Sequence, residues 1–498
     1  MRTILAAALV LGTASPAWAA PSGQAVKWQD YGPAALQQAR REQKPLFLLI
    51  TATWCQWCHA YERESLHTPE VAAVLNTRYV PVWVDFDRRP DVAARFPGRG
   101  LPRTVILNPA GGFEASVAGF IPKPQLLGNL HKTLQLIDSQ AQAQAEPAPS
   151  PPRTVTPEAL LDAASHELDR QYDPIFQGFG REAKLPYPGV LAFLLEGGKE
   201  DRQRAQATLE AIAGAASWQK QLVGGLFDPR EGGFFRYSPR RNWSDPHVEK
   251  LLGLNAQLIS VALGVYHQTH DPRARAWAEA TLHYVEGRLG AGSDGFYASQ
   301  AADPAYYRQP TKEPRKEPRA APAIDRRHFA APSAQMALAL FEAEQRLGKP
   351  AHAARARQVV ESLAKRLDSR GAIARDWAGD QESPLRGVLD DQAWAALAML
   401  EAWSRTRQPA YLKHAEALLA FIVRERRAAA GYRLSEGGPI EVEANAAAAL
   451  AFARAYQLTG KREFSQAGRH ALIEGMAQDL AAGYGWLAAR RLGRPRGR

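Results

Sequence analysis

The sequence predicts two domains of different class, an α/β domain at the front and an all-α domain of paired helices behind it. Three observations predict this. Apolar runs alternate with helical patterns up to residue 138. A Gln/Ala/Pro-rich stretch over residues 139–157, containing Pro147-Ala148-Pro149-Ser150-Pro151-Pro152, then reads as an extended linker. Beyond it the texture becomes Ala/Leu-rich with helical periodicity. The 498 residues exceed the usual span of one domain, and 46% hydrophobic with 23% charged residues suffices for a large core.

Residues 20–138 form the α/β domain. A helical segment over Gly32–Glu42 precedes an apolar strand, Leu46–Thr51, and a helical pattern follows from Ala60 to Leu75. A second strand, Tyr79–Phe86, leads to a short helix near Pro90–Phe96. Strands Arg103–Leu107 and Phe113–Ala118 flank the turn Asn108-Pro109-Ala110-Gly111-Gly112, and a helix over Pro122–Ile137 closes the domain. The tight turn makes the last two strands antiparallel, while the helix-linked earlier strands are expected to be parallel. This order is that of a thioredoxin-like fold.

Residues 158–488 carry the helices Val248–Gln268, Arg273–Leu289, Gln335–Leu347, His352–Leu367, Asp391–Arg405, Tyr411–Arg426, Ala444–Leu458 and Glu463–Leu480. Their connections repeat a glycine-plus-aromatic signature at Gly232-Gly233-Phe234-Phe235, Gly295-Phe296-Tyr297, Gly431-Tyr432 and Gly483-Tyr484-Gly485-Trp486, with a looser copy from Gly371 to Trp377. Each copy follows the second helix of a pair, which is an internal helical-hairpin repeat. Roughly six hairpins fit, giving an (α/α)6 toroid, with an open solenoid as the alternative. Pro310–Pro322 interrupts the series as a loop, and residues 489–498 form a basic tail.

The two cysteines of the chain stand together in Trp54-Cys55-Gln56-Trp57-Cys58-His59, where a strand gives way to a helix. So small a ring cannot staple a fold, so the pair points to chemistry. A thiol at a helix start is met by unpaired amides and the positive end of the dipole, which favours the thiolate. Cys55 would attack a partner disulfide, and Cys58, one turn on and less exposed, would resolve the mixed disulfide. Leu101-Pro102-Arg103-Thr104 enters a strand directly, and Pro102 fits the cis-proline that faces such a pair.

Three other uses of the pair are open. Cys55 to His59 matches the C-x-x-C-H of c-type haem attachment, yet lies within a strand–helix unit. Both thiolates with His59 could bind a metal, but a structural zinc site needs four ligands and no second cluster stands out. A purely structural disulfide is the third. Redox chemistry fits best, without cofactor or metal. His59 reads equally as a proton shuttle and as a surface residue, and Glu62 and Glu64 read as solvated helix charges.

Met1-Arg2, an apolar run from Ile4 to Leu11 and Ala17-Trp18-Ala19 form a signal peptide over residues 1–19. The expected location is periplasmic or secreted, with no later segment long enough to span a membrane. The net charge of +11 lies partly in Arg490, Arg491, Arg494, Arg496 and Arg498, without the interleaved aromatics of a nucleic-acid site.

The sequence resembles the spermatogenesis-associated protein 20 family. The likeness rests on Lys44-Pro45-Leu46-Phe47-Leu48, the cysteine motif, Glu62-Arg63-Glu64-Ser65, the run from Val84 to Asp91, and Pro102-Arg103-Thr104-Val105. It continues through Asp173–Phe179, Gly232–Tyr237, Pro246-His247-Val248-Glu249-Lys250 and Leu389-Asp390-Asp391. The resemblance implies a thioredoxin fold ahead of a six-hairpin toroid, and toroids of this kind are similar to sugar epimerases and glycosidases. The chain departs from the family pattern at Gln56, at Gly253-Leu254 and at Ala331-Pro332-Ser333. Leu49 is apolar where many thioredoxins bury an aspartate as proton acceptor. His247, Glu249, Asp390 and Asp391 are the toroid pocket candidates, alongside Arg236, Trp243, Glu443 and Asn445. The acidic ones also suit helix N-terminal positions.

Three functions follow as expectations. The first is an exported thiol–disulfide oxidoreductase whose toroid docks a protein client with a thiol or disulfide. The second is a carbohydrate-active toroid with a structural front domain. The third is a non-catalytic envelope binding protein.

Overall fold

The computed structural model describes residues 25–98, 100–139, 152–215, 217–218, 221–222, 224–307 and 320–493. The expected signal peptide, most of the expected linker, residues 308–319 and the last five residues therefore lie outside the described residues. The chain forms two compact units, and the segments Ala52–Gln56 and Asp85–Pro97 group with the larger, helical one.

The smaller unit is built on a five-stranded sheet of order β1-β3-β2-β4-β5. Its strands are β1 (Gln29–Asp30), β2 (Leu46–Thr51), β3 (Val80–Asp85), β4 (Arg103–Leu107) and β5 (Phe113–Ala118). β1 runs parallel to β3, β4 antiparallel to β2 with Leu49 opposite Thr104, and β5 antiparallel to β4. All six residues of β2 are buried. Phe47 and Leu49 pack with Tyr61, Leu66, Leu75, Ile106 and Leu130 in one apolar core.

The helices of this unit are α1 (Pro33–Glu42), α2 (Gln56–Tyr61), α3 (Pro69–Arg78) and α5 (Lys123–Ser139), while α4 (Pro90–Ala93) lies in the Asp85–Pro97 segment that groups with the larger unit. The expected Ala60–Leu75 helix is interrupted. α2 widens into a π-helical turn over Glu62–Leu66, and Pro69 starts α3 afresh.

The larger unit contains α6 (Pro157–Gln171), α7 (Pro188–Leu195), α8 (Lys199–Ile212), α9 (Leu252–Thr269), α10 (Pro272–Tyr284) and α11 (Pro304–Tyr307). It continues with α12 (Ala330–Leu347), α13 (Pro350–Ala364), α14 (Leu389–Thr406), α15 (Pro409–Phe421), α16 (Val442–Thr459), α17 (Arg462–Ala471) and α18 (Gly483–Gly493). Six helices pack side by side in the order α7, α9, α12, α14, α16, α18 and back to α7. Each carries one outer partner: α8, α10, α13, α15, α17 and α6 respectively. The ring is therefore closed, an (α/α)6 toroid rather than an open solenoid.

The repeat has a local cause. Four inner helices end on one left-handed residue, His270, Gly348, Arg407 or Gly460, and the outer helix starts two residues later. The returning chain is held by an amide side chain of the next inner helix. Asn255 bonds both backbone groups of Phe234, and Asn445 those of Tyr432. Gln392 bonds Ile373 N and Gly371 O. Asn445 thus takes a structural place.

Two expectations need correction. The helix expected over Glu463–Leu480 stops at Ala471, followed by short 3-10 turns. Gly483-Tyr484-Gly485-Trp486 is not a connection but the start of α18, which runs to Gly493 and so takes in the first residues of the supposed tail. The glycines serve close approach. A Cβ on Gly483 would lie 2.2 Å from Val190 N, and one on Gly189 2.8 Å from Tyr484 N. The ring closes at this crossing of α7 and α18.

Gly483→Ala is expected to lower the thermal midpoint of the helical unit by several degrees, corresponding to a few kcal/mol of overpacking. Gly128→Ala in α5, whose Cβ meets nothing within 4 Å, should leave melting unchanged or slightly raised. Circular dichroism melting of the full chain checks both.

Candidate functional site

β2 delivers the motif. Cys55 immediately precedes α2, and its backbone N–H donates to Ala52 O. Cys55 and Cys58 are joined as a disulfide. Cys58 is completely buried and Cys55 retains 5% exposure, the order expected of an attacking and a resolving thiol. Trp57, half exposed, turns outward, while Trp54 is buried. The Leu101–Pro102 peptide is cis, as the sequence predicts.

Burial, with the Arg63 charge, lowers the His59 imidazole below its ordinary range. His59 is therefore neutral at pH 7 and adds no positive potential beside the pair. Glu64 is exposed and paired with Arg63, as expected of a solvated charge. Glu62 is not. It sits in the π turn, accepts a hydrogen bond from the Thr51 hydroxyl at 3.3 Å, and is pushed by burial up to about 7. The Glu-Arg-Glu pattern gave no signal separating the two acids; the widened turn does.

The loop ahead of Cys55 is tied into a polar network, all of it within the larger unit. Trp54 Nε1 donates to Asp87 Oδ2 at 2.8 Å, and the Thr53 hydroxyl to Asp325 Oδ2 at 2.8 Å. Arg327 bridges Asp325 and Asp85, and Arg375 donates through Nε to Asp87 O at 2.8 Å. Burial and the neighbouring Asp85 charge push the Asp87 carboxyl up to about 6, against the pull of Trp54, Arg375 and Arg327.

The four toroid candidates gather at this same loop. Arg375 Nη1 reaches Asp391 Oδ1 at 2.8 Å and Asp390 Oδ2 at 3.4 Å. Asp391 also accepts from Ala331 N, holding the start of α12. The Arg236 guanidinium lies 4.5 Å from the Trp54 ring centre and 3.2 Å from Glu249 Oε1. His247 packs between Glu249 and Tyr237. Burial alone would raise Glu249, but His247 and Arg236 hold it below its ordinary range. Trp243 is buried, its indole N–H on Phe176 O.

None of these four lines the cavity of about 500 Å³ enclosed by the six inner helices. Its described lining includes Trp394, Tyr484, Gln257, Glu342, Glu401 and Arg454. Trp394 meets Tyr484 edge-on at 5.0 Å here. Burial pushes Glu342 up to about 7, opposed by Ser260. These residues carried no motif, because they face one another only once the ring closes. Among the described residues, no group of three or more His, Cys, Asp or Glu is arranged to hold a metal ion, and no helix is long and apolar enough to cross a membrane.

The family model Thioredox_DsbH, described as a protein of unknown function, DUF255, matches residues 10–115. Spermatogenesis-associated protein 20 of Mus musculus is 31% identical over 317 residues, covering 56% of this chain and 39% of that protein. The chain is homologous to that protein over this stretch, as its motifs imply, and spans about two fifths of the length of the spermatogenesis-associated protein 20 relatives it matches. Thioredoxin 1 of Chlorobaculum tepidum is 28% identical over 95 residues, 19% of this chain and 90% of its own length. A sugar epimerase structure from a ruminal bacterium aligns over 63% of this chain and 85% of its own, at 14% identity and a TM-score of 0.49.

The Glu62 carboxyl gives a signed pH dependence. Between its ordinary value of 4.5 and about 7 the folded chain keeps a proton that the unfolded chain has lost. Stability therefore falls as pH rises through that window. Glu62→Gln should match wild type near pH 4.5 and exceed it by about 3 kcal/mol above pH 7. Denaturant titrations at the two pH values check this.

Proposed function

We propose that the chain is an exported thiol–disulfide oxidoreductase in which Cys55 attacks a client disulfide and Cys58 resolves it. The observation that carries this reading is the lone Cys55–Cys58 disulfide between a fully buried strand and a helix. In the reducing direction the Cys55 thiolate attacks one client sulfur and the other client sulfur leaves. The Cys58 thiolate then attacks Cys55, frees the first client sulfur and restores the disulfide. The protein dithiol supplies both electrons. The likeness to a thioredoxin over most of that protein's length supports the chemistry, and the signal sequence over residues 1–19 supports export.

In this reading the toroid serves selection or docking. Arg236, His247, Glu249, Asp390 and Asp391 shape the polar surroundings of Trp54 rather than act on a sugar. Cys58→Ser should accumulate a client on Cys55 as a mixed disulfide released by dithiothreitol, and Cys55→Ser/Cys58→Ser should not. Equal yields from both variants on non-reducing gels would remove the assignment.

A second reading, a carbohydrate-active ring, draws on one observation. The inner cavity sets Trp394 and Tyr484 near Glu342, an acid held up to about 7. Under it, Glu342→Gln would abolish turnover of a sugar substrate and replacement of both cysteines by serine would not. Under the redox reading a screen of mono- and disaccharides shows no turnover above the Glu342→Gln background.

A further inference from the structure

We propose that Glu62 accepts the proton of Cys58 when that thiol resolves the mixed disulfide. The inference rests on the redox reading above and assigns its second step a base. Cys58 is completely buried, so its thiol cannot ionise by handing a proton to bulk water. Burial in apolar surroundings keeps a thiol neutral, and the neutral thiol does not attack. A buried resolving cysteine therefore needs an acceptor close by.

The geometry supplies one. Cys58 and Glu62 lie four residues apart on one continuous helical stretch, the spacing that stacks two side chains about 5–6 Å apart between Cβ atoms. Glu62 opens the π turn, and such one-residue widenings re-aim a side chain and recur at functional sites. Its carboxylate is fixed on the sheet side by Thr51, the last residue of β2. Thr51 follows Phe47 and Leu49 on the core face of the strand. β2 itself is apolar from Leu46 to Ile50 and offers no acid.

The other titratable groups on the surrounding elements are otherwise placed. His59 is held neutral, and the Tyr61 hydroxyl is bonded to Thr104 on β4. Arg63 is exposed and paired with Glu64, and Lys123 of α5 is paired with Glu70 of α3. Arg103 on β4 is buried and cannot accept a proton at neutral pH. Burial raises the Glu62 carboxyl to about 7, where a carboxylate can both take and return a proton near neutrality.

In the resolving step the Cys58 proton passes to a Glu62 carboxylate oxygen, directly or through one water. The freed sulfur attacks Cys55, the bond between Cys55 and the client sulfur breaks, and the client leaves as a thiolate. The electron pair of that broken bond goes with the client, and Glu62 returns its proton to solvent.

The reduced full-length protein with stoichiometric Ellman's reagent separates the two steps. The first thionitrobenzoate released reports attack by Cys55, and the second reports resolution by Cys58. Glu62→Gln should leave the first phase within twofold of wild type and slow the second at least tenfold at pH 7. In wild type the second phase should rise through about pH 7, and the variant should lose that rise. Thr51→Val, which removes the hydroxyl that holds Glu62 down, should move the wild-type profile to higher pH. An unchanged second phase in Glu62→Gln overturns this inference alone, as does equal slowing of both phases. Absence of the first phase in wild type overturns the redox reading and this inference with it.

Discussion

The site depends on the burial of β2. Six consecutive buried residues, Leu46–Thr51, cannot shift register by one place without turning Phe47 and Leu49 out of the core. That fixes where the chain leaves the sheet, and so where Cys55 meets the first turn of α2. The same constraint places Thr51 against Glu62 and Leu49 opposite Thr104, two residues beyond cis-Pro102. An apolar strand thus sets the polar chemistry at its end.

Closure plays the matching part in the helical unit. Six inner helices can form a ring only if the last meets the first, and here backbone meets backbone at Gly189 and Gly483. Amide clamps from Asn255, Gln392 and Asn445 then hold the returning chains against the inner helices. Buried ion pairs complete the frame. Lys184 with Asp173, and Lys250 with Asp228, bury charges that are tolerable only because they are paired and hydrogen-bonded. Several of the residues that carry the resemblance therefore serve the frame, while the acidic candidates at the starts of α9 and α14 converge on the loop carrying Trp54.

Local signals in the sequence were enough for most of the elements and for the cysteine pair. Apolar runs, Pro109 with Gly111 and Gly112, and an isolated C-x-x-C each act within a few residues. Gly483-Tyr484-Gly485-Trp486 misled, because a glycine needed for close approach looks the same as one needed for a turn; only the partner helix distinguishes them. α6, α7 and α8 escaped notice because α7 is short and apolar and its neighbours are richly charged. The role of Glu62 depends on a π turn and on Thr51 eleven residues earlier, neither of which leaves a periodic mark. The surroundings of Trp54 join residues from five distant parts of the chain, and spacing alone could not bring them together.

The proposed chemistry requires that the Cys55–Cys58 disulfide be a working redox couple and not a staple. The most direct measurement is to equilibrate the folded full-length chain in glutathione buffers of graded potential, alkylate, and count modified cysteines by intact mass. A working couple gives a single reversible transition in which both cysteines convert together, with a tenfold change in their ratio for about 30 mV, as a two-electron couple requires. A disulfide that stays closed across the series until the chain unfolds, or two thiols that titrate independently, would contradict it.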